Sequence, residues 1–168
     1  MKKIAFAVMY LIVSSVSPAA PPTEDMVKSC LRAQPVAPSI TFRTLDAHTI
    51  ASEDNYAGSF DASYLVKYRG TDAGYAESKT DQALIYLGKI YRLSKAIPLG
   101  RNGGVKSGSF DPTLAQWGVV TELSSNYLCV SFDFDGLGRS GVFQNIRGGY
   151  LLNEKTRLLY FAVRDIRK

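Results

Sequence analysis

The sequence predicts an α+β domain: N-terminal helices packed on a C-terminal four-stranded antiparallel β-meander, tied by one disulfide. Three observations carry this expectation. Apolar residues recur at helical spacing in the first half of the chain. From Gln116 onward they alternate at period two, and the connections between the alternating runs are short. The two cysteines, Cys30 and Cys129, lie one in each half.

The chain opens MKKIAFAVMYLIVSSVSPAAPP. Lys2 and Lys3 form a positive start, and Ile4 to Val13 is an apolar run of ten residues. A bilayer span needs about 20, so the run fits the core of a secretory leader better than a membrane anchor. Ser17 and Ala19 supply small residues at −3 and −1. Cleavage is expected after Ala19, because cutting after Ala20 would put the rigid ring of Pro21 at +1. Residues 1–19 are thus read as a signal peptide, and 20–168 as a single globular domain of 149 residues (168 − 19). The expected location is periplasmic or secreted, with no membrane contact after cleavage, and the MKK-type leader points to a bacterial source. Export and an even cysteine count predict a Cys30–Cys129 disulfide.

The elements follow in order. Thr23-Glu24-Asp25 places a hydroxyl cap and two carboxylates at a helix start. Met26, Val27, Cys30 and Leu31 share one face, and Pro35 and Pro38 end the helix. Ser39 to Leu45 alternates as a short strand. Asp46 to Ser59 is polar and gives no clear pattern. Phe60, Tyr64, Leu65 and Tyr68 suggest a second helix with Gly70 just past its end, a strand at Tyr64 to Tyr68 being the alternative. Thr71 to Glu77 reads as a loop or a turn of helix. A third helix is expected from Asp81 to about Ala96, with Ala83, Leu84, Leu87, Ile90 and Tyr91 as its stripe. Arg101 to Ser109 is a loop. The strands then run Gln116 to Leu123, Asn126 to Asp135, Val142 to Asn153 and Arg157 to Ile166, antiparallel because their connections are short. In the second of these, Leu128, Val130, Phe132 and Phe134 face the core. Cys129 points the other way, which requires the first helix or its flank to reach that opposite face.

Several chemistries fail on spacing. Gly136-Leu137-Gly138-Arg139-Ser140-Gly141 matches G-x-G-x-x-G, but no capped helix follows to meet a pyrophosphate. The motif reads as a turn between antiparallel strands. Ser131 to Gly136 resembles the start of a calcium loop, yet Val142 stands where the bidentate Glu belongs. His48 is the only histidine, no G-x-S-x-G elbow occurs, and zinc lacks ligands. No cofactor or metal is expected. Glu53/Asp54 and Asp133/Asp135 are the visible carboxylate clusters. The net charge of +5 falls to +3 without Lys2 and Lys3, which does not argue for nucleic acid.

What remains is a binding protein. The expectation is an exported protein that neutralises a protein partner, as an inhibitor or immunity protein does, and is not an enzyme. Its expected contact residues are Asp133, Asp135, Arg139 and Arg147, with the glycine loop presenting Arg139. One alternative is a small secreted, metal-independent enzyme or toxin using the same carboxylates and arginines. Another is a glycan-binding module using exposed tyrosines or Trp117.

Overall fold

The computed structural model describes residues 20–45, 53–56, 60–102, 105, 107, 115–133, 146–165 and 167, with the backbone alone at 53–56, 62–64, 67 and 133. The expected leader, His48, Asp135, Arg139 and the glycine loop lie outside the described residues.

The fold is mostly β, not N-terminal helices on a four-stranded meander. One α-helix, α1 (Glu24–Arg32), precedes eleven strands: β1 (Ile40–Thr44), β2 (Glu53–Tyr56), β3 (Phe60–Tyr68), β4 (Thr71–Glu77), β5 (Gln82–Tyr86), β6 (Lys89–Arg92), β7 (Ile97–Pro98), β8 (Gln116–Glu122), β9 (Ser125–Asp133), β10 (Ile146–Asn153) and β11 (Leu159–Asp165). They form a six-stranded sheet in the order β1-β8-β9-β10-β11-β7 and a five-stranded sheet in the order β2-β3-β4-β5-β6. All pairings are antiparallel except β11 with β7.

The helix forms as its sequence requires. Thr23 caps it in an extended conformation, its side-chain oxygen accepting from the Met26 N–H at 3.3 Å. Glu24 and Asp25 occupy the first turn, and Ala33 ends the helix at φ 51°. Met26, Val27, Cys30 and Leu31 are buried against Val120, Tyr127, Cys129, Leu151, Tyr160 and Ala162 of the six-stranded sheet. The Cys30–Cys129 disulfide joins the two, with Cα atoms 5.7 Å apart. The opposite face of that sheet carries Leu128, Val130, Phe132, Tyr150 and Phe161 into a core shared with Val66, Tyr68, Tyr75, Leu84 and Tyr86 of the five-stranded sheet. Helix, sheet and sheet thus stack as three layers. Alternation along β9 assigns the faces as expected from sequence, with Cys129 on the helix side.

The second and third expected helices are strands, the second in line with its strand alternative at Tyr64 to Tyr68, and Thr71 to Glu77, expected as a loop or turn of helix, is β4. In β5 the four residues Ala83 to Tyr86 are all buried: Leu84 and Tyr86 face the inter-sheet core, Ala83 and Ile85 a smaller cluster on the other face. A strand buried on both faces shows no period-two signal. In β3 a bulge between Ala62 and Tyr64 shifts the register, so Phe60 joins Leu65 on one face while Val66 and Tyr68 divide from them onto the other. That shift produced the apparent helical spacing. Arg69-Gly70 and Leu87-Gly88 are hairpin turns with positive φ at both positions, the sign pattern of type I′; Gly70 is no helix cap. Among the described residues no helix is long and apolar enough to cross a membrane.

Candidate functional site

Five described non-glycine residues have positive φ: Ala33 at 51°, Arg69 at 51°, Leu87 at 52°, Leu123 at 53° and Arg157 at 64°. Ala33 ends the helix. The other four occupy the turns β3–β4, β5–β6, β8–β9 and β10–β11, and these four turns meet at one end of the molecule.

Glu154, in the β10–β11 turn, brings them together. Its carboxylate accepts from the Tyr68 hydroxyl at 2.6 Å and from Arg69 Nη1 at 3.0 Å, tying this turn to β3–β4. Its backbone N–H donates to Asn126 O at 3.0 Å, which ties it to the β8–β9 hairpin. The Arg157 guanidinium lies 4.8 Å from the centroid of the Tyr86 ring, beside the β5–β6 turn. The β10–β11 turn is itself built on Asn153, whose side-chain oxygen accepts from the N–H groups of Lys155 and Thr156, both at 2.9 Å.

The aromatic rings here are walls. Tyr68 is 2% exposed and carries the guanidiniums of Arg43 and Arg69 over its ring at 5.4 and 5.1 Å. Burial, then the hydrogen bond to Glu154, pushes its hydroxyl up to about 12. Burial also raises Tyr86 and Tyr91. All three hydroxyls are neutral at ordinary pH. Glu154 and Arg69 form an ion pair that offsets both charges; the other charged groups of this end are exposed Arg43, Lys89 and Lys155, half-buried Arg157, and the partly exposed carboxylates of Asp72 and Glu122.

A bulky side chain at positive φ is strained, and three of the four positions regain that energy within the chain. Arg69 pairs with Glu154 and stacks on Tyr68. Arg157 stacks on Tyr86. Leu87 is 37% exposed, so most of it is covered. Leu123 is 92% exposed and regains nothing. The hairpin holding it is nevertheless braced. Glu122 accepts from the Thr23 hydroxyl at 2.8 Å and from the Ser39 hydroxyl at 3.3 Å, which fixes the strand end to the helix cap and to the start of β1. A cleft of about 550 Å³ lies beside it, lined by Ala20, Pro21, Leu123, Tyr127, Asn153 and Lys155 among others. Leu158, 40% exposed, is the third exposed leucine of this end.

Of the residues expected to make contact, Asp133 and Arg147 lie elsewhere. Asp133 and Arg147 are in register across β9 and β10, near the opposite end of the sheet. Arg147 Nη1 donates to Leu31 O at 3.4 Å, an interaction with the last turn of α1. Asp135 and Arg139 are outside the described residues. Trp117 and the tyrosines at 68, 75, 86, 127, 150 and 160 are buried, so none of these offers an open ring. Among the described residues no group of three or more His, Cys, Asp or Glu could hold a metal ion. Sequence reading passed over the tip residues. The signal for two of them was present, as the X-Gly dipeptides Arg69-Gly70 and Leu87-Gly88. For Leu123 there was none, because Leu123-Ser124 has no glycine. Set against protein-family models, curated proteins and solved structures, the chain matches none of them.

Proposed function

We propose that the chain is an exported protein that binds and neutralises another protein, in the manner of an inhibitor or immunity protein, and that the end carrying the four turns makes the contact. One observation carries the reading: Leu123 is held at positive φ on a braced hairpin and is 92% exposed. Strain without compensation inside the molecule is characteristic of positions kept for an external contact. Bracing supports the same reading, since an ordered loop has less freedom to lose on binding. The leader-like N-terminus and the buried disulfide support export.

The test is retention. The full chain, exported by its own leader and immobilised through a C-terminal tag, is used as bait in periplasmic and culture-supernatant extracts. A stoichiometric protein partner is expected on the wild type and is lost when Leu123 is replaced. If wild-type bait retains no protein at stoichiometric level from any extract, the reading is wrong.

A further inference from the structure

We infer that the partner presents an apolar pocket rimmed by carboxylates, with Leu123 entering the pocket and the surrounding cations meeting the rim; this rests on the binding reading above and specifies its partner. The shape argument starts from Leu123. It stands at the tip of a two-residue turn between Glu122 and Ser125, which pair across the loop. At 92% exposure its whole side chain projects from the turn. A flat surface would leave the sides of such a projection in water, whereas a concave apolar site buries them. Leu87 and Leu158 stand in neighbouring turns, 37% and 40% exposed, and suit the margin of the same pocket.

The charge argument is independent of the shape. Arg69, Lys89 and Lys155 are exposed around these leucines. Glu154 is offset by Arg69, while Glu122, whose partners Thr23 and Ser39 are neutral hydroxyls, keeps its negative charge. At this end Arg43, Arg69, Lys89, Lys155 and half-buried Arg157 outnumber Asp72, Glu122 and Glu154 by five to three, and the complement of that positive excess is acidic. A second copy of the same face would set cation against cation. A carboxylate-rimmed pocket satisfies both the apolar projection and the charge around it.

The experiment uses the protein retained by wild-type bait, purified and titrated against three forms of the full chain: wild type, Leu123→Gly, and the double variant Lys89→Gln/Lys155→Gln. Leu123→Gly is expected to weaken binding by about 20-fold or more, the range of a central anchor residue. The double variant is expected to slow association several-fold at low salt, with the difference vanishing at high salt. Photo-leucine in place of Leu123 should cross-link to a segment of the retained protein in which apolar residues are flanked by Asp or Glu. In parallel, wild type is sedimented with vesicles of 70% phosphatidylcholine and 30% phosphatidylglycerol, and its self-association is measured by sedimentation velocity; neither vesicle binding nor dimerisation is expected. A retained partner whose affinity is unchanged by Leu123→Gly overturns this inference and the placement of the contact at this end, and leaves the neutralising function itself standing. Leu123-dependent vesicle binding or dimerisation also overturns it, and assigns the face to a membrane or to a second copy. Failure of wild type to retain any partner overturns both.

Discussion

Replacing Leu123 by glycine should make the protein more stable while weakening its binding. An L-residue held in the left-handed region costs roughly 1–2 kcal/mol, and glycine removes that cost. Glycine also frees the unfolded chain, which costs roughly 0.4–1 kcal/mol. The side chain itself contributes little: Leu123 is 92% exposed. Under a tenth of a burial worth roughly 1.5–3 kcal/mol is therefore lost, about 0.2 kcal/mol. The net is a gain of about 0.5 kcal/mol, or an increase of roughly 1–3 °C in Tm for a chain of this size. The internal control is the next residue. Ser124 is not among the positive-φ residues, so Ser124→Gly has no strain to relieve and should destabilise by about 0.5–1 kcal/mol. Urea denaturation of the three proteins, fitted with a common slope, reads the sign directly. If Leu123→Gly destabilises as much as Ser124→Gly, Leu123 is not strained and the argument for an external contact collapses.

Three further outcomes follow from the packing and the charges. A Cβ at Gly149 would sit 2.7 Å from Leu31 Cδ2 and 3.0 Å from Val130 O, so Gly149→Ala should push α1 off the sheet and lower stability by about 1–3 kcal/mol in chemical denaturation. Removing the disulfide with the double variant Cys30→Ala/Cys129→Ala opens a covalent loop spanning a sequence separation of 99, for which a loss of about 2–5 kcal/mol is expected, read as a lower urea midpoint. The Arg164 guanidinium, hydrogen-bonded to Glu24 at 2.9 and 3.0 Å, holds that carboxyl below its ordinary value, against an opposing effect of burial. A lowered folded value means the stabilisation is present above the ordinary carboxylate range and is lost as pH falls through the folded value. The stability gap between wild type and Glu24→Gln should therefore be constant above about pH 5 and shrink below it, and it should stay under about 1 kcal/mol because the pair is half exposed.

The legible parts of this protein are those set by neighbours in sequence. Thr23, Glu24 and Asp25 mark the start of α1 because capping and the helix dipole act within one turn. The four C-terminal strands were readable because alternation and short connections are local. In β9 alternation went further: Leu128, Val130 and Phe132 on one face and Cys129 on the other required the helix to lie on the outer face, and the disulfide lies there. The five-stranded sheet was readable only in part, through the alternative of a strand at Tyr64 to Tyr68, which lies inside β3. Its strand β5 is apolar on both faces and its strand β3 is bulged, so neither presents a clean period, and the turn residues Gly70 and Leu87 fit helical positions as well as hairpin ones.

By itself, then, the sequence determined the helix, the pairing of its two cysteines, the strands of the C-terminal half and the faces that Leu128, Cys129, Val130 and Phe132 take in β9. Tertiary structure alone decided the class of the fold and the place of the candidate site. The site is made of Arg69, Leu87, Leu123 and Arg157, each from a different hairpin. What brings the first and last hairpins together is a carboxylate that accepts from Tyr68 and Arg69, 86 and 85 residues away. No local rule reports such a meeting. The strain at Leu123 was equally hidden, because an ordinary leucine becomes informative only when its φ is positive and its side chain has nothing to touch.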